Sequence, residues 1–389
     1  MDHKQMTLGQ GNRLSLTLDE LSRYQNQCAK HFSFSLTLAC PLSCKHCLVG
    51  AGPDQGHTTM PFEDAQVYAS QMEELYTCGV RSIGFTGGEA LLASKQVGVI
   101  SQKAAEAGLV CGIVTSGYFF RDERAIRTLV KKYPGIQVWN LSIDAYHLEF
   151  VAKEQIKLAY EVIKSMGLKV DLRLTYHAPA TDMDQEILDY LQSFAEPDDL
   201  SCQKIRKYGR ARELDMPGEP ENIHWTRPCV TQGVVIRYDG SVAPCCCSLV
   251  ESRLHPFQFG NARERKLKDI YRDFMCHPLL QHIRLLGFSE LIRWLTDSSY
   301  FEELPDYLPD DICDLCPVLF NHPTISRYLD YKAATPENVL RTAVATFRLM
   351  QEKYMLEDAL DRFIHLRGKL EGYEQACELL QHPENFSVY

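Results

Sequence analysis

The first half of the chain alternates short apolar runs with longer amphipathic segments. The apolar runs predict six strands, near residues 33–39, 81–86, 109–115, 136–143, 168–175 and 200–206. Between them, apolar residues recur at helical spacing, as in 62–77, 94–107, 121–132 and 153–166. Strand–helix alternation at this spacing is typical of a parallel sheet with right-handed crossovers. The predicted fold class is therefore α/β, a partial (β/α)6 barrel that resembles a TIM barrel.

The second half follows a different pattern. Apolar residues flank Asp239-Gly240, a pair typical of a tight β-hairpin turn. Helical periodicity returns over 267–286, and the stretch 288–311 is rich in aromatic and acidic residues, typical of a substrate cover or of a plain connection. Amphipathic helices are predicted near the end of the chain, including 337–354 and 356–380. We therefore expect four regions: an N-terminal extension over 1–30, the barrel over 31–212, a hairpin-and-helix domain over 213–323 and a helical region over 324–389.

Composition narrows the function classes. A net charge of −10 gives no support for nucleic-acid binding. Hydrophobic residues at 45% and aromatic residues at 10% argue against disorder. The sequence has no long apolar run and no signal-peptide pattern, so we expect a cytoplasmic protein with no membrane partner. Fifteen cysteines then indicate reduced thiolates that bind metal rather than a disulfide framework.

Three of these cysteines follow the first predicted strand. Cys40, Cys44 and Cys47 have the spacing CxxxCxxC. They offer three thiolates to a four-iron cluster and leave its fourth iron without a protein ligand, where a small molecule can bind. A zinc knuckle is the alternative for this spacing taken alone.

The next strands end in residues that suit a ligand site. Gly87 and Gly88 allow a close approach of the backbone, and Glu89 can lie beside an ammonium group. The third and fourth strands end in small polar or acidic residues, which either bind hydroxyl groups of a ligand or cap the strand ends. These residues are Thr115, Ser116, Ser142 and Asp144.

Together these segments resemble the radical S-adenosylmethionine (SAM) superfamily. The resemblance implies that Cys40, Cys44 and Cys47 hold a [4Fe–4S] cluster whose open iron is chelated by the amino and carboxylate groups of SAM. His46 stands where the family usually has an aromatic residue near the adenine. The resemblance also implies that the SAM amine is bound by Gly87, Gly88 and Glu89, and that the SAM ribose is bound by Thr115, Ser116, Ser142 and Asp144.

A second cysteine pattern surrounds the predicted hairpin. Ten residues separate Cys229 from Gly240 and four more precede Cys245, and Cys313-Asp-Leu-Cys316 follows far downstream. This resembles the SPASM and Twitch extensions of radical SAM enzymes, which carry auxiliary iron–sulfur clusters. The two further cysteines of a fuller SPASM pattern are absent, which favours one Twitch-like [4Fe–4S] cluster on a hairpin and a Cys-x-x-Cys loop. Its predicted ligands are Cys229, Cys245, Cys313 and Cys316, with Cys246 or Cys247 as substitutes for Cys245 and structural zinc as the alternative.

The resemblance implies an enzyme. An electron donor such as flavodoxin or ferredoxin reduces the open-site cluster, SAM is cleaved to a 5′-deoxyadenosyl radical, and this radical takes a hydrogen atom from the substrate. The substrate radical is then oxidised, cross-linked or epimerised with help from the auxiliary cluster. Cys246 or Cys247 could return a hydrogen atom as the catalytic donor, although both also suit the role of small buried hydrophobic residues.

The substrate is less constrained by the sequence. About thirty residues precede the first predicted strand, too few for a winged-helix domain that recognises peptides. This favours a small molecule of the aminosugar or cyclitol kind over a ribosomally made peptide, and natural-product or peptide maturation is the expected role in either case. A zinc-binding interaction protein is the hypothesis from another class, but it leaves Gly87, Gly88 and Glu89 unexplained.

Overall fold

The computed structural model describes residues 23, 26–216, 225, 228–229, 233–249, 254–305, 308–309 and 311–367. These residues divide into two compact units. The first contains residues 31–216 and 236–241, and the second contains the other described residues. No helix in these ranges is both long and apolar enough to cross a bilayer.

Six parallel strands form the sheet of the first unit, in the order β6-β5-β4-β3-β2-β1. Each strand pairs with its neighbour in sequence, and β6 lies at an edge, so the sheet is an open, partial barrel as predicted. The strands are β1 (His31–Ser35), β2 (Ser82–Thr86), β3 (Val110–Thr115), β4 (Ile136–Ile143), β5 (Lys169–Tyr176) and β6 (Leu200–Lys204).

Helices separate the strands, and the core lies between the two layers. Phe34, Phe85 and Ile113 stand beside one another on β1, β2 and β3 and are fully buried. The segment 62–77, predicted as one helix, forms two helices, because the helical conformation is interrupted at Ser70-Gln71. The helices are α1 (Phe62–Ala69), α2 (Met72–Thr77), α3 (Ser94–Glu106), α4 (Glu123–Lys132), α5 (Lys153–Ser165) and α6 (Asp182–Gln192).

The predicted hairpin is present as β7 (Val234–Arg237) and β8 (Val242–Ala243). Asp239 Oδ1 closes its turn by accepting hydrogen bonds from the Ser241 backbone N–H and hydroxyl. Helices α7 (Leu267–Cys276) and α8 (Pro278–Leu285) replace the single helix predicted over 267–286, because Pro278 cannot continue a helix.

The remaining helices of the second unit are α9 (Ser289–Thr296), α10 (Ile312–Phe320), α11 (Pro323–Ala333), α12 (Pro336–Met350) and α13 (Tyr354–Arg367). Buried residues of α12 and α13, among them Ala343, Met355 and Ala359, form one apolar cluster, which agrees with the predicted amphipathic pattern. The predicted end of the last helix near residue 380 falls outside the described residues.

One prediction about this unit is wrong. The Cys-x-x-Cys segment was expected in a loop, but Cys313 and Cys316 lie in the first turns of α10. Asp311 begins this helix by accepting a hydrogen bond from the Cys313 N–H at 2.8 Å. Because residues three apart share a helix face, both thiols project on one side of α10.

Candidate functional site

Cys40, Cys44 and Cys47 lie on one loop beyond the carboxyl end of β1. The Cys40 N–H donates to the Gly52 carbonyl at 3.0 Å, and Ala39 forms a parallel bridge with Gly52, so the loop returns to its own base. Within the loop, the Cys47 N–H donates to the Cys44 carbonyl at 3.2 Å. All three cysteines carry free thiols. The spacing that the sequence singled out therefore places three sulfur donors on a single short segment.

Burial controls the ionisation of these thiols. It raises the pKa of Cys40 to about 11 and that of Cys44 to about 12. Neighbouring acidic groups and thiols raise both pKa values further, and the Arg210 guanidinium opposes the increase at both sites. These two thiols are thus protonated at neutral pH in the metal-free chain, and they release protons when they bind a metal.

The glycines after β2 are required by backbone packing. Gly87 has φ +134°, and a Cβ there would overlap the Thr37 carbonyl oxygen. A Cβ on Gly88 would overlap the carbonyl oxygen of Ala39. The Glu89 N–H also donates to the Ala39 carbonyl, at 2.8 Å. The pair of glycines therefore brings Glu89 against the segment that leads into the cysteine loop.

Glu89 is a fully buried carboxylate surrounded by donors. Its Oε2 accepts hydrogen bonds from Thr115 Oγ1 at 3.0 Å and from the Ser116 N–H and hydroxyl at 3.0 and 2.7 Å. Burial raises the pKa of Glu89, and these hydrogen bonds oppose the rise. Thr115 and Ser116, which the sequence assigned to a ribose, thus hold Glu89 in place. Within the described part of the chain, Glu89 Oε1 accepts a single hydrogen bond, from the Leu91 N–H at 3.3 Å.

Asp144 is a second buried carboxylate, just beyond β4. Its Oδ2 lies 2.7 Å from His147 Nδ1 and 3.2 Å from His46 Nε2, and its Oδ1 accepts the N–H groups of Tyr146 and His147. Although burial opposes the charge, His147 and His46 hold the pKa of Asp144 well below its usual range. Sequence reasoning missed His147, which follows Asp144 by three residues.

His46 links this network to the cysteine loop. Its ring stacks on Tyr146, with centroids 4.9 Å apart and planes 17° apart. His46 Nδ1 is buried and has no hydrogen-bond partner among the described residues. The ligand atoms of His46, Asp144 and His147 lie within 4.8 Å of one another, close enough to hold a metal ion. The hydrogen bonds between them already account for that proximity.

Two further residues continue the network beyond β5. Tyr146 Oη lies 2.8 Å from His177 Nε2, and His177 Nδ1 lies 2.9 Å from Asp184 Oδ2. Sequence spacing could not predict this hydrogen-bonded series, because its members belong to three separate segments. Ser142, by contrast, is half-buried on β4 and has no hydrogen bond to Glu89 or Asp144 in the described part of the chain.

The second unit gathers the other cysteines. Burial raises the pKa of Cys316, and the thiols of Cys245, Cys229 and Cys313 raise it further, which puts all four within electrostatic range. The Cys229 N–H donates to the Ile283 carbonyl at 2.8 Å, which ties Cys229 to α8. The thiols of three distant segments are therefore near enough to influence the pKa of Cys316, and their binding of one shared cluster stays a prediction.

The neighbouring thiols differ from each other. A hydrogen bond with Cys313 is the main cause that raises the pKa of Cys247, so Cys247 also reaches this group. Cys246 is exposed. The choice between Cys245 and Cys247 as a metal ligand therefore remains a prediction, and the Cys246 thiol is close enough to raise the pKa of both.

Comparison with known proteins agrees with this geometry. Residues 34–191 match the sequence model of the radical SAM superfamily, and residues 229–285 match the SPASM iron–sulfur cluster-binding domain. The chain belongs to the radical SAM superfamily. Its SPASM match begins at Cys229 and ends before Cys313. No curated protein matched the chain.

Comparison with solved structures gave matches at low sequence identity, among them structures with bound AdoMet. Native anSMEcpe with bound AdoMet is 13% identical, covers 80% of this chain and 99% of that chain, and has a TM-score of 0.48. BtrN in complex with AdoMet and 2-DOIA is 18% identical, with coverages of 66% and 87% and a TM-score of 0.39. HydG, a maturase of the [FeFe]-hydrogenase, is 12% identical, with coverages of 95% and 87% and a TM-score of 0.36.

Membership of the radical SAM superfamily brings SAM and a [4Fe–4S] cluster as cofactors, and the SPASM domain brings auxiliary iron–sulfur binding. The side chains fit these groups. The loop offers three free thiols and so leaves one iron for another ligand. The buried, unpartnered Nδ1 of His46 and the weakly bonded Oε1 of Glu89 are polar atoms that a bound ligand can satisfy.

Proposed function

We propose that this radical SAM enzyme completes a maturation step on a natural product or peptide, with help from one auxiliary [4Fe–4S] cluster. The three-thiol loop beside the buried carboxylate of Glu89, at the carboxyl ends of parallel strands, is the observation that carries the proposal. When bound and reduced, the cluster and SAM supply a 5′-deoxyadenosyl radical that takes a hydrogen atom from the substrate.

The residues of the first unit bind and orient. Cys40, Cys44 and Cys47 hold the first cluster through their thiolates. Glu89 Oε1 would accept a hydrogen bond from the SAM amine, while Thr115 and Ser116 donate hydrogen bonds to Oε2. Gly87 and Gly88 bring Glu89 close to the loop, and the remaining polar contacts to the adenosine come from the set His46, Ser142 and Asp144.

The cysteines of the second unit act on the substrate radical, either by binding the auxiliary cluster or by donating a hydrogen atom. Cys229, Cys245, Cys313 and Cys316 would hold the auxiliary cluster, which would supply an electron acceptor for an oxidation or a cross-linking reaction. In an epimerisation the substrate radical would instead regain a hydrogen atom from a cysteine thiol, and the thiyl radical left behind would need one electron and one proton, the electron from the same external donor that reduces the first cluster. Cys246 suits that donor role better than Cys247, because its thiol is exposed, whereas Cys247 contacts Cys313. The electron that starts each turnover comes from a donor such as flavodoxin or ferredoxin.

The first experiment separates the two cysteine sets. Wild type, a Cys40/Cys44/Cys47→Ala variant and a Cys229/Cys245/Cys313/Cys316→Ala variant are reconstituted anaerobically, with Cys78→Ala as the matched control. Iron, sulfide and EPR spectra are measured, together with 5′-deoxyadenosine formed from SAM under reduction. Each multiple variant should lose about four irons. The first should form no 5′-deoxyadenosine, and the second should still form it.

Other results would contradict the proposal. Zinc in place of iron, or 5′-deoxyadenosine formed without Cys40, Cys44 and Cys47, would remove the radical mechanism. If the second variant binds as much iron as the wild type, the hypothesis of an auxiliary cluster is wrong.

The substrate class is tested by hydrogen transfer. Deuterated aminosugars and cyclitols, and separately deuterated peptides, are incubated with the reduced enzyme and SAM, and deuterium in 5′-deoxyadenosine is measured by mass spectrometry. We expect deuterium transfer from the small-molecule set. Transfer from peptides alone would favour the alternative, modification of a ribosomally made peptide.

A further inference from the structure

The segment Gly209-Arg210-Ala211 follows β6 and has no role in the cofactor assignments above. It lies in a short 3-10 turn, Gly209–Glu213. The half-buried side chain of Arg210 contacts the cysteine loop, although the two are far apart in the sequence. Its Nε and Nη2 both donate to the Cys44 carbonyl, at 3.0 and 2.9 Å, and its Nη1 donates to the Ala51 carbonyl at 2.6 Å.

The backbone of the same segment contacts the loop as well. The Arg210 N–H donates to the Cys47 carbonyl at 3.0 Å. Gly209 has φ +53°, and a Cβ there would overlap the carbonyl oxygens of Cys47 and Leu48. This glycine therefore allows the turn to press directly against the chain that carries the third cysteine.

The loop has few strong hydrogen bonds of its own between the cysteines. The Cys47 N–H to Cys44 carbonyl bond is 3.2 Å long, and the Gly50 N–H to Cys47 carbonyl bond is 3.4 Å long. The carbonyls of Cys44 and Cys47 are also the acceptors that Arg210 uses. Arg210 thus fixes the backbone at two cysteines and at Ala51, on the far side of the loop.

We propose that Arg210 is a positioning residue whose planar guanidinium holds the cysteine loop in the shape that binds the first cluster. This inference rests on the proposed function, in which Cys40, Cys44 and Cys47 are the ligands. It adds a requirement for a fork of donors rather than for a positive charge. A lysine ammonium is a compact point charge and cannot donate in parallel to Cys44 and reach Ala51 at the same time.

The test uses the Cys229/Cys245/Cys313/Cys316→Ala protein as parent, so that iron reports on the first cluster alone. Arg210→Lys, Arg210→Gln and Arg210→Ala are compared with Arg212→Gln, which alters an exposed arginine two residues away. After reconstitution, loss of the cluster to an iron chelator is followed by visible absorbance. We expect loss to be about tenfold faster in all three Arg210 variants, because several hydrogen bonds to backbone carbonyls disappear. Arg212→Gln should match the parent.

Two further readouts separate positioning from general damage to the fold. Thermal melting of the metal-free variants reports whether the barrel still folds. Ethylguanidinium, added to Arg210→Ala, should restore slow cluster loss, whereas ethylammonium should not.

The outcomes are distinct. If Arg210→Lys keeps the cluster as well as the parent does, or if ethylammonium rescues as well as ethylguanidinium, the charge is sufficient and the inference is overturned. If the parent itself binds no iron, the proposed function fails before Arg210 is tested.

Discussion

The two cysteine sets of this protein are built in opposite ways. The first occupies one loop after β1, so its three thiols lie on a single short segment of the chain. The second draws on Cys229, on the residues after β8 and on α10, so tertiary packing must assemble it. A cluster with an open iron thus depends on a local motif, whereas the predicted auxiliary cluster depends on a completed fold.

Their electrostatic support differs too. Burial raises the pKa of Cys40 and Cys44, and the Arg210 side chain, remote in sequence, lowers it. Burial also raises the pKa of Cys245, and the opposing hydrogen bonds come from the nearby backbone at Cys247 and Leu249. The first set therefore has a nearby donor, the Leu42 N–H to Cys40, together with a charge from far along the chain, whereas both donors to Cys245 are nearby.

Gly209→Ala should produce the largest difference between the two cysteine sets in the iron that they bind. A Cβ at this position would overlap the carbonyl oxygens of Cys47 and Leu48, and φ +53° is unfavourable for alanine. We expect loss of the first cluster, about four irons, with the auxiliary iron retained. Iron analysis and EPR measure this, with Gly167→Ala as control, because that glycine also has positive φ but open space around its Cβ position. Normal iron content in Gly209→Ala would contradict the packing argument.

The pH dependence of metal uptake comes next in size. Because burial raises the pKa of Cys40 to about 11 and that of Cys44 to about 12, both thiols must lose protons to bind metal. Affinity should rise with pH between 7 and 9, by up to about tenfold per unit for each proton released. Conversely, the metal-free fold should lose stability as the pH rises from 9 through these pKa values, since the unfolded chain ionises first. Co²⁺ titrations of the protein that lacks the second cysteine set measure the uptake, and uptake independent of pH would refute this reading.

Glu290→Gln should weaken only the second unit. Glu290 Oε1 lies 2.7 Å from Arg293 Nη2, and its Oε2 contacts His282 and Arg341. Although burial opposes the charge, the neighbouring His282 and a hydrogen bond from Arg341 lower the pKa of Glu290 to about 2. We expect a loss of roughly 2 kcal/mol in the free energy of unfolding at pH 7.

This contribution should be present above pH 4.5, the usual pKa, and should vanish as the pH falls through 2. Denaturant unfolding of both proteins at several pH values measures the difference. A difference that persists at pH 2 would show that charge is not its origin.

The smallest effect is expected from Asp311→Ala. Asp311 caps α10 by accepting the Cys313 N–H, and loss of a cap costs about 1 kcal/mol. Chelator-driven loss of the auxiliary iron should become about fivefold faster, with the first cluster unaffected. Asp122→Ala is the matched control, because Asp122 caps α4 in the same manner at 2.8 Å and α4 carries no cysteine. Equal behaviour of the two variants would mean that the cap does not support the cysteine pair.

Much of the fold was predictable because its signals are local. The apolar run 136–143 coincides with β4, and Asp239-Gly240 marked the hairpin. The cysteine loop was visible for the same reason. The Cys-x-x-Cys segment was misplaced in a loop because Pro317 interrupts its helical pattern, although Asp311 was an available cap signal.

The missed features of the site are contacts between distant segments. Thr115 and Ser116 reach Glu89 only because β2 and β3 are neighbours in register, and Tyr146 meets His177 across two strand ends. The spacing of residues along the sequence cannot predict which side chains of neighbouring strands contact each other. The strand ends predicted candidate residues, but the hydrogen-bond partners of those residues depend on the folded sheet.

The long interval between Cys44 and Arg210 also has a consequence for the order of biosynthesis. These residues are 166 positions apart, so a ribosome needs on the order of ten to thirty seconds to extend the nascent polypeptide from one to the other. During that interval the cysteines have emerged without the arginine that steadies their backbone. Iron delivery should therefore follow synthesis of the sixth strand, and a nascent chain stalled before residue 210 should have thiols that alkylating reagents modify readily.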